Sequence, residues 1–341
     1  MEFLLELGVF SGKVFVLAFA TGILLILLFV LILRARQTKA MLSVENLNEK
    51  YEDMAKGLKA NLLDDKARKA DAKEMKKRAK AEKTDGKDKK RIFVLGFEGD
   101  IRASHLENLR EEITAILTVA KAGADEVVLL LESPGGMVHS YGLAAAQLLR
   151  LKQAGLHLTI CVDKVAASGG YMMACTADRI LAAPFAILGS IGVVAQVPNF
   201  HRLLKKHDVD FEEITAGEFK RTVTLFGEIT EKGRRKFLDQ IEDTHGLFKS
   251  FVKTYRPILD LDQVATGEYW FGQRAKELLL VDDIIASDDY LFRQRETAKI
   301  YKIEIAVHKK WSEKLAENIA LLVTKSVEKT LFKSQDLGSG L

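Results

Sequence analysis

The chain has 341 residues, 48% hydrophobic and 29% charged. That is enough for an ordinary globular core, held as two average domains or as one domain with appendages. Two cysteines, Cys161 and Cys175, are too few for a disulfide framework or a metal cluster of their own, and they read as buried thiols. The formal net charge of +4 is small and unevenly placed along the chain.

Residues 14–33, VFVLAFATGILLILLFVLIL, carry no charge. At ~1.5 Å per residue they would span roughly 30 Å, the thickness of a bilayer core. A cleaved signal peptide fits worse. Glu2, Glu6 and Lys13 precede the stretch in place of a basic run, and no small-x-small cleavage site follows. The expectation is a single-pass N-terminal membrane anchor. Arg34, Arg36 and Lys39 favour a cytoplasmic flank, but long domains can cross despite their charge, so the side stays open.

Residues 40–63 show helical periodicity through Met41, Leu42, Val44, Leu47, Tyr51, Met54, Leu58 and Leu62, which predicts an amphipathic helix. Residues 64–91 hold 13 Lys/Arg and 7 Asp/Glu and almost no large apolar residue. They cannot bury a core and read as a solvated linker. Interspersed acids and missing aromatics argue against nucleic-acid binding there, while attraction to anionic headgroups of the lipid bilayer is reasonable.

From Ile92 the composition changes. IFVLGF predicts a strand. SHLENLREEITAILTVA predicts a helix opened by Ser104 and Glu107 at capping-box spacing. Then follow the strand EVVLLLE, the turn SPGG, the helix MVHSYGLAAAQLLRLKQA and the strand LHLTICV. Alternation of this kind predicts βαβ units and a parallel sheet. A second uncharged run, residues 180–198, contains Pro184, Gly189, Gly192 and Pro198 and reads as buried strands and turns rather than a second membrane span. The division expected is 1–40 anchor, 41–90 helical and basic linker, 91–295 catalytic α/β domain, and 296–341 C-terminal extension.

Two glycine turns, SPGG at 133–136 and SGG at 168–170, fall at strand C-terminal ends, the ligand-binding edge of parallel α/β folds. Backbone N–H groups from such turns can form an oxyanion hole, and a helix starting at Ser168 would add positive dipole. Two ordinary turns are the bland alternative. A serine nucleophile needs a base. His139, at the start of the helix after SPGG, lacks an obvious carboxylate partner. Lys220, among Phe219, Val223, Leu225 and Phe226, is the other candidate, provided burial lowers its affinity for a proton.

The stretches LLLESPGGMVHSYGLAAAQL, DKVAASGGYMMA, APFAILGSIGVVAQVPNF, TAGEFKRTVTLFGEIT and VATGEYWFGQRAKELLLVDDI occur in this order over about residues 91–290. Together they resemble the signal peptide peptidase A family of membrane serine peptidases, in its SohB branch. The resemblance implies a Clp/crotonase-type α/β fold and a Ser–Lys dyad acting through an acyl-enzyme, with no cofactor and no metal. It implies Ser168 as nucleophile, Lys220 as general base and Ser190 as the residue holding the lysine amine. The N–H groups of Gly169 and Gly136 match the oxyanion hole. The substrates implied are peptides or unfolded protein segments. Relatives form rings, so a homo-oligomer is expected, with Lys220 serving Ser168 of an adjacent chain. One departure is Leu279, where relatives usually carry glycine. The tail WSEKLAENIALLVTKSVEKTLF predicts an amphipathic helix. The competing functions are a crotonase-like acyl-CoA enzyme, which would not need the Ser–Lys pair, and a non-catalytic membrane scaffold.

Overall fold

A computed structural model describes residues 19, 21–22, 41–64, 66–68, 70–71, 73–74, 77 and 89–306. The anchor expected at 14–33 (apart from Phe19, Thr21 and Gly22), much of the basic linker and the helix expected in the tail lie outside these residues. Among the described residues no helix is long and apolar enough to cross a membrane.

Residues 42–304 form one compact unit. After β1 (Met41–Asn46) and α1 (Leu47–Leu62) the expected alternation appears: β2 (Lys90–Glu98), α2 (Leu106–Val119), β3 (Glu126–Glu132), α3 (Val138–Gln153) and β4 (His157–Val162). The chain then makes a short strand, β5 (Val165–Ala167), and a short helix, α4 (Gly169–Ala174), before β6 (Arg179–Ala182) and β7 (Ile187–Gly189). Next come α5 (His201–Lys206), α6 (Glu231–Tyr255), α7 (Leu261–Val264) and β8 (Tyr269–Phe271). The run ends with α8 (Gly272–Glu277), β9 (Asp283–Ile284), α9 (Ser287–Gln294) and β10 (Ala298–Ala306).

The main sheet has the order β1-β10-β2-β3-β4-β6-β9, and its pairs from β10 to β9 are parallel. Side chains alternate across it. Phe93, Leu95, Phe97, Val127 and Leu129 join the larger core cluster with α2, α3 and α4. Ile92, Val94, Val128 and Cys161 face a second cluster that contains Leu47, Tyr290 and Leu291. This two-sided burial is why β2 and β3 read as continuous apolar runs. A second sheet, β5-β7-β8, branches off the first. It pairs β5 with β7 in parallel and β7 with β8 in antiparallel register.

Several expectations are corrected. The helix expected over 40–63 starts only at Leu47. Met41–Asn46 is a strand, and the Asn46 side chain accepts the N–H groups of Asn48 and Glu49, which fixes the boundary. Ser104 does not cap α2. Helix α2 has no side-chain cap, and the Asp100 carboxylate accepts the Ser104 and Arg102 N–H groups instead, holding 100–104 as a turn. Residues 298–302, beyond the boundary drawn at 295, pair with β2 inside the main sheet. Residues 180–198 contain β6 and β7 and no helix, while 194–200 are exposed. Cys161 and Cys175, by contrast, are free and buried as expected, and burial pushes the Cys175 thiol up to about 12.

The departure at Leu279 has a structural consequence. It follows α8 with φ +61. Its N–H donates to the Lys276 carbonyl and that of Leu280 to the Ala275 carbonyl, the Schellman ending whose left-handed position favours glycine. The Leu279 side chain is 50% exposed, so little burial offsets the steric cost of ~1–2 kcal/mol. Leu279→Gly is therefore expected to stabilise the protein by about 1 kcal/mol, read as a raised denaturant midpoint at unchanged slope; a lowered midpoint contradicts this account of the turn.

Candidate active site

The site lies where the second sheet meets the C-terminal end of β3. After β4, residues 163–164 lead the chain off the main sheet, so SGG ends the short β5 and not β4. Ser133 ties the two sheets together: its N–H donates to the Val165 carbonyl, its carbonyl accepts the Ala167 N–H, and it bridges Ala166.

Ser168 stands between β5 and α4 with φ 52 and ψ −118. An L-residue pays roughly 1–3 kcal/mol for such backbone. The conformation is held on both sides, by the Ser168 N–H donating to the Gly189 carbonyl at 2.8 Å and by its carbonyl accepting the Met172 N–H at 3.0 Å. The residue is half-buried, and its hydroxyl makes no hydrogen bond among the described residues. A strained, partly exposed serine at a strand-to-helix turn is the geometry of a nucleophile elbow.

The SPGG turn packs directly on this elbow. Gly135 has φ +90, and a Cβ there would lie 2.7 Å from the Gly169 nitrogen and 2.8 Å from the Ser168 Cβ. Only glycine fits so close an approach. The N–H of Gly169 begins α4 and has no intrahelical acceptor. Neither it nor the N–H of Gly136 donates to a described residue. Both N–H groups are unspent, and that of Gly169 directly follows the serine. Because α4 has only six residues, the dipole expected from a helix at Ser168 is minor beside these amides.

Ser190 leaves β7 as Ser168 leaves β5. The last pair of the two parallel strands is Ala167 with Gly189, so the serines depart side by side, with strands about 4.8 Å apart. Ser190 also has positive φ, +50. Its N–H donates to the Glu268 carbonyl at 2.6 Å, and His245 of α6 approaches the Ile191 carbonyl at 3.1 Å.

Lys220 lies elsewhere in character. It sits in an exposed loop between α5 and α6, its N–H donates to the Gly217 carbonyl, and its amine is not hydrogen-bonded to Ser168 or Ser190 in the single chain. His139 is exposed near the start of α3 and has no carboxylate partner among the described residues. No cluster of three His, Cys, Asp or Glu side chains is placed to hold a metal among the described residues. Sequence reasoning missed the fully buried Tyr141, whose ring lies beneath Gly169. Its position, one turn into the helix that follows SPGG, was the available signal.

The candidate site is a strained serine next to a free backbone amide on a parallel α/β scaffold. Two family models match the chain: the model for the N-terminal part of peptidase family S49 matches residues 2–148, and that for peptidase family S49 matches residues 150–301. The chain belongs to peptidase family S49. It is 51% identical over 326 residues to "Probable protease SohB" of Haemophilus influenzae, covering 89% of this chain and 92% of that protein. It is 43% identical to the protein of the same title from Buchnera aphidicola subsp. Schizaphis graminum, covering 95% and 98%. It is also similar to a solved 1510-N membrane-bound stomatin-specific protease in complex with a substrate peptide. That likeness has 13% identity and a TM-score of 0.38, covers 68% of this chain and 98% of that one, and carries no functional weight.

The close approach at Gly135 can be tested against an open glycine. Gly135→Ala is expected to cost at least ~2 kcal/mol of stability. At Gly142, inside α3, a Cβ would meet nothing within 4 Å, so Gly142→Ala should stabilise by about 0.5–1 kcal/mol. Thermal unfolding of both variants checks this, and a Gly135→Ala protein as stable as the parent contradicts the packing described.

Proposed function

We propose that the chain is a membrane-anchored serine endopeptidase that cleaves peptides or unfolded protein segments with a Ser168–Lys220 dyad. The observation that carries this reading is the strained Ser168, packed against the SPGG turn at Gly135 and followed by the unspent N–H of Gly169; that of Gly136, also unspent, would complete the oxyanion hole. In this mechanism the neutral Lys220 amine takes the Ser168 proton as Oγ attacks the scissile carbonyl. The carbonyl oxygen becomes an oxyanion held by the two amides. The C–N bond then breaks, and the lysine returns the proton to the departing amine. Water, deprotonated by the same lysine, hydrolyses the acyl-enzyme and frees Ser168. Ser190, beside Ser168 at the strand ends, accepts the role of orienting the lysine amine.

Lys220 is exposed in the single chain, whereas a lysine base must be kept neutral by burial. The surrounding segment is unusually apolar for a surface: Val194 is 80% and Ile214 88% exposed, and Phe200, Phe211, Phe219, Leu225 and Phe226 are also exposed. These features support a homo-oligomer in which a neighbouring chain covers this segment and Lys220 serves the Ser168 next to it. Residues 14–33 support the membrane location.

The test is peptide hydrolysis by the full-length protein. Ser168→Ala and Lys220→Ala should each abolish nearly all activity, the double variant should be little worse than either, and His139→Ala should stay active. Mixing Ser168→Ala chains with Lys220→Ala chains under demonstrated subunit exchange should restore part of the activity. Deleting residues 1–40 should release the protein from carbonate-washed membranes. An active Lys220→Ala with an inactive His139→Ala overturns the dyad. Exchange without recovery overturns the shared site. A Ser168→Ala protein with undiminished turnover would point instead to crotonase-like chemistry.

A further inference from the structure

We propose that Tyr141 is a positioning residue for the oxyanion hole: its phenol, acting through Ser133, holds the Gly135–Gly136 turn in place against the Ser168–Gly169 elbow. This rests on the reading of Ser168 as nucleophile, and it concerns a residue that does not touch the substrate.

Tyr141 has no exposed surface. Its hydroxyl donates to the Asp100 carbonyl at 2.7 Å and lies 2.6 Å from the Ser133 Oγ. A phenol has one proton. With that proton on Asp100, the Ser133 hydroxyl must donate to Tyr141. The Ser133 oxygen in turn accepts the Gly135 N–H at 3.1 Å. The result is a directed chain from the Gly135 N–H through Ser133 and Tyr141 to the Asp100 carbonyl, and buried chains of this kind strengthen one another. Burial also pushes the Tyr141 phenol up, so it stays a donor throughout the physiological range.

Both ends of the chain are anchored near the hole. The Met137 N–H donates to the Ile101 carbonyl at 2.9 Å, and a Cβ at Gly136 would lie 2.2 Å from that carbonyl oxygen. The loop that accepts from Tyr141 therefore also fixes the residue after Gly135. Meanwhile the Tyr141 ring supports the other donor, since a Cβ at Gly169 would lie 2.4 Å from the Tyr141 Cγ. One side chain contacts both halves of the hole, the ring beneath Gly169 and the hydroxyl on SPGG. An oxyanion forms only as the reaction proceeds, so loosening one donor should weaken transition-state binding and leave ground-state binding alone.

The experiment compares full-length wild type, Tyr141→Phe, Ser133→Ala and the double variant, with Ser168→Ala as reference. A fluorophosphonate titration sets the concentration of active sites in each protein that keeps Ser168, and total protein sets it for Ser168→Ala. The readouts are kcat and KM for a fluorogenic peptide and Ki for a peptide aldehyde, whose adduct with the serine places an oxyanion in the hole. Each single variant is expected to lose about 10–100-fold in kcat, somewhat less than outright removal of a donor, with KM within about twofold. The aldehyde Ki should rise by the same factor as kcat/KM falls, and the double variant should be no worse than the singles because both cut one chain. Ser133→Ala removes a single buried hydroxyl and keeps the test decisive if Tyr141→Phe folds poorly. Wild-type kcat and Ki per titrated site in either soluble variant overturn the positioning role, as does a rise in KM matching the rise in Ki. If Ser168→Ala itself is fully active, the reading of the site fails; if it is dead while Tyr141→Phe matches wild type, only the positioning role fails.

Discussion

The site depends on one contact, the approach of the Gly135 backbone to Ser168 and Gly169. A Cβ at Gly135 would lie 2.7 Å from the Gly169 nitrogen, so no side chain can separate the two turns. Ser168 holds its strained conformation because it is fastened at both its N–H and its carbonyl, and the strain is offset by well-made strands on either side. Ser133 is the fastening point. It bonds β5 through its backbone and the SPGG turn through its hydroxyl, so the main sheet, the second sheet and the turn meet at one residue.

The second sheet adds the register. Pairing Ala167 with Gly189 sends Ser168 and Ser190 off adjacent strands at the same level, both with positive φ. Trp270 on β8 packs against Gly189, where a Cβ would lie 2.8 Å from its ring, and so braces β7 from behind. Ser168 and Ser190 thus both leave buried, mutually bonded strands. Lys220 rests on an exposed loop with apolar neighbours. On the proposed reading this contrast is functional: the part that must be rigid is built within the chain, and the part that must be desolvated is completed by association.

Much of the main sheet was legible because its strands are buried on both faces and its helices carry apolar residues at helical spacing. The runs ending at Glu98, Glu132 and Val162 show this. The two glycine turns were legible as a pair at strand ends. What the sequence concealed were features fixed by distant partners. Strand β5 is three residues long and exists because Ser133 and β7 bond to it, so LHLTICV seemed to lead straight into Ser168. The Ser104–Glu107 spacing mimicked a cap that Asp100 pre-empts by binding the Ser104 N–H. Beyond its position after SPGG, Tyr141 carries no signal of its own in the sequence, since nothing in the local pattern reveals that its hydroxyl reaches Asp100, 41 residues earlier.

The central claim is that Ser168 is the nucleophile, activated by its setting. The most direct measurement is covalent labelling with a fluorophosphonate, followed by peptide mass spectrometry of the whole chain. The account predicts a single stoichiometric adduct on Ser168 that is lost on unfolding and strongly slowed in Lys220→Ala. An adduct on another serine, or an unlabelled Ser168 in a protein that hydrolyses peptides, would contradict it.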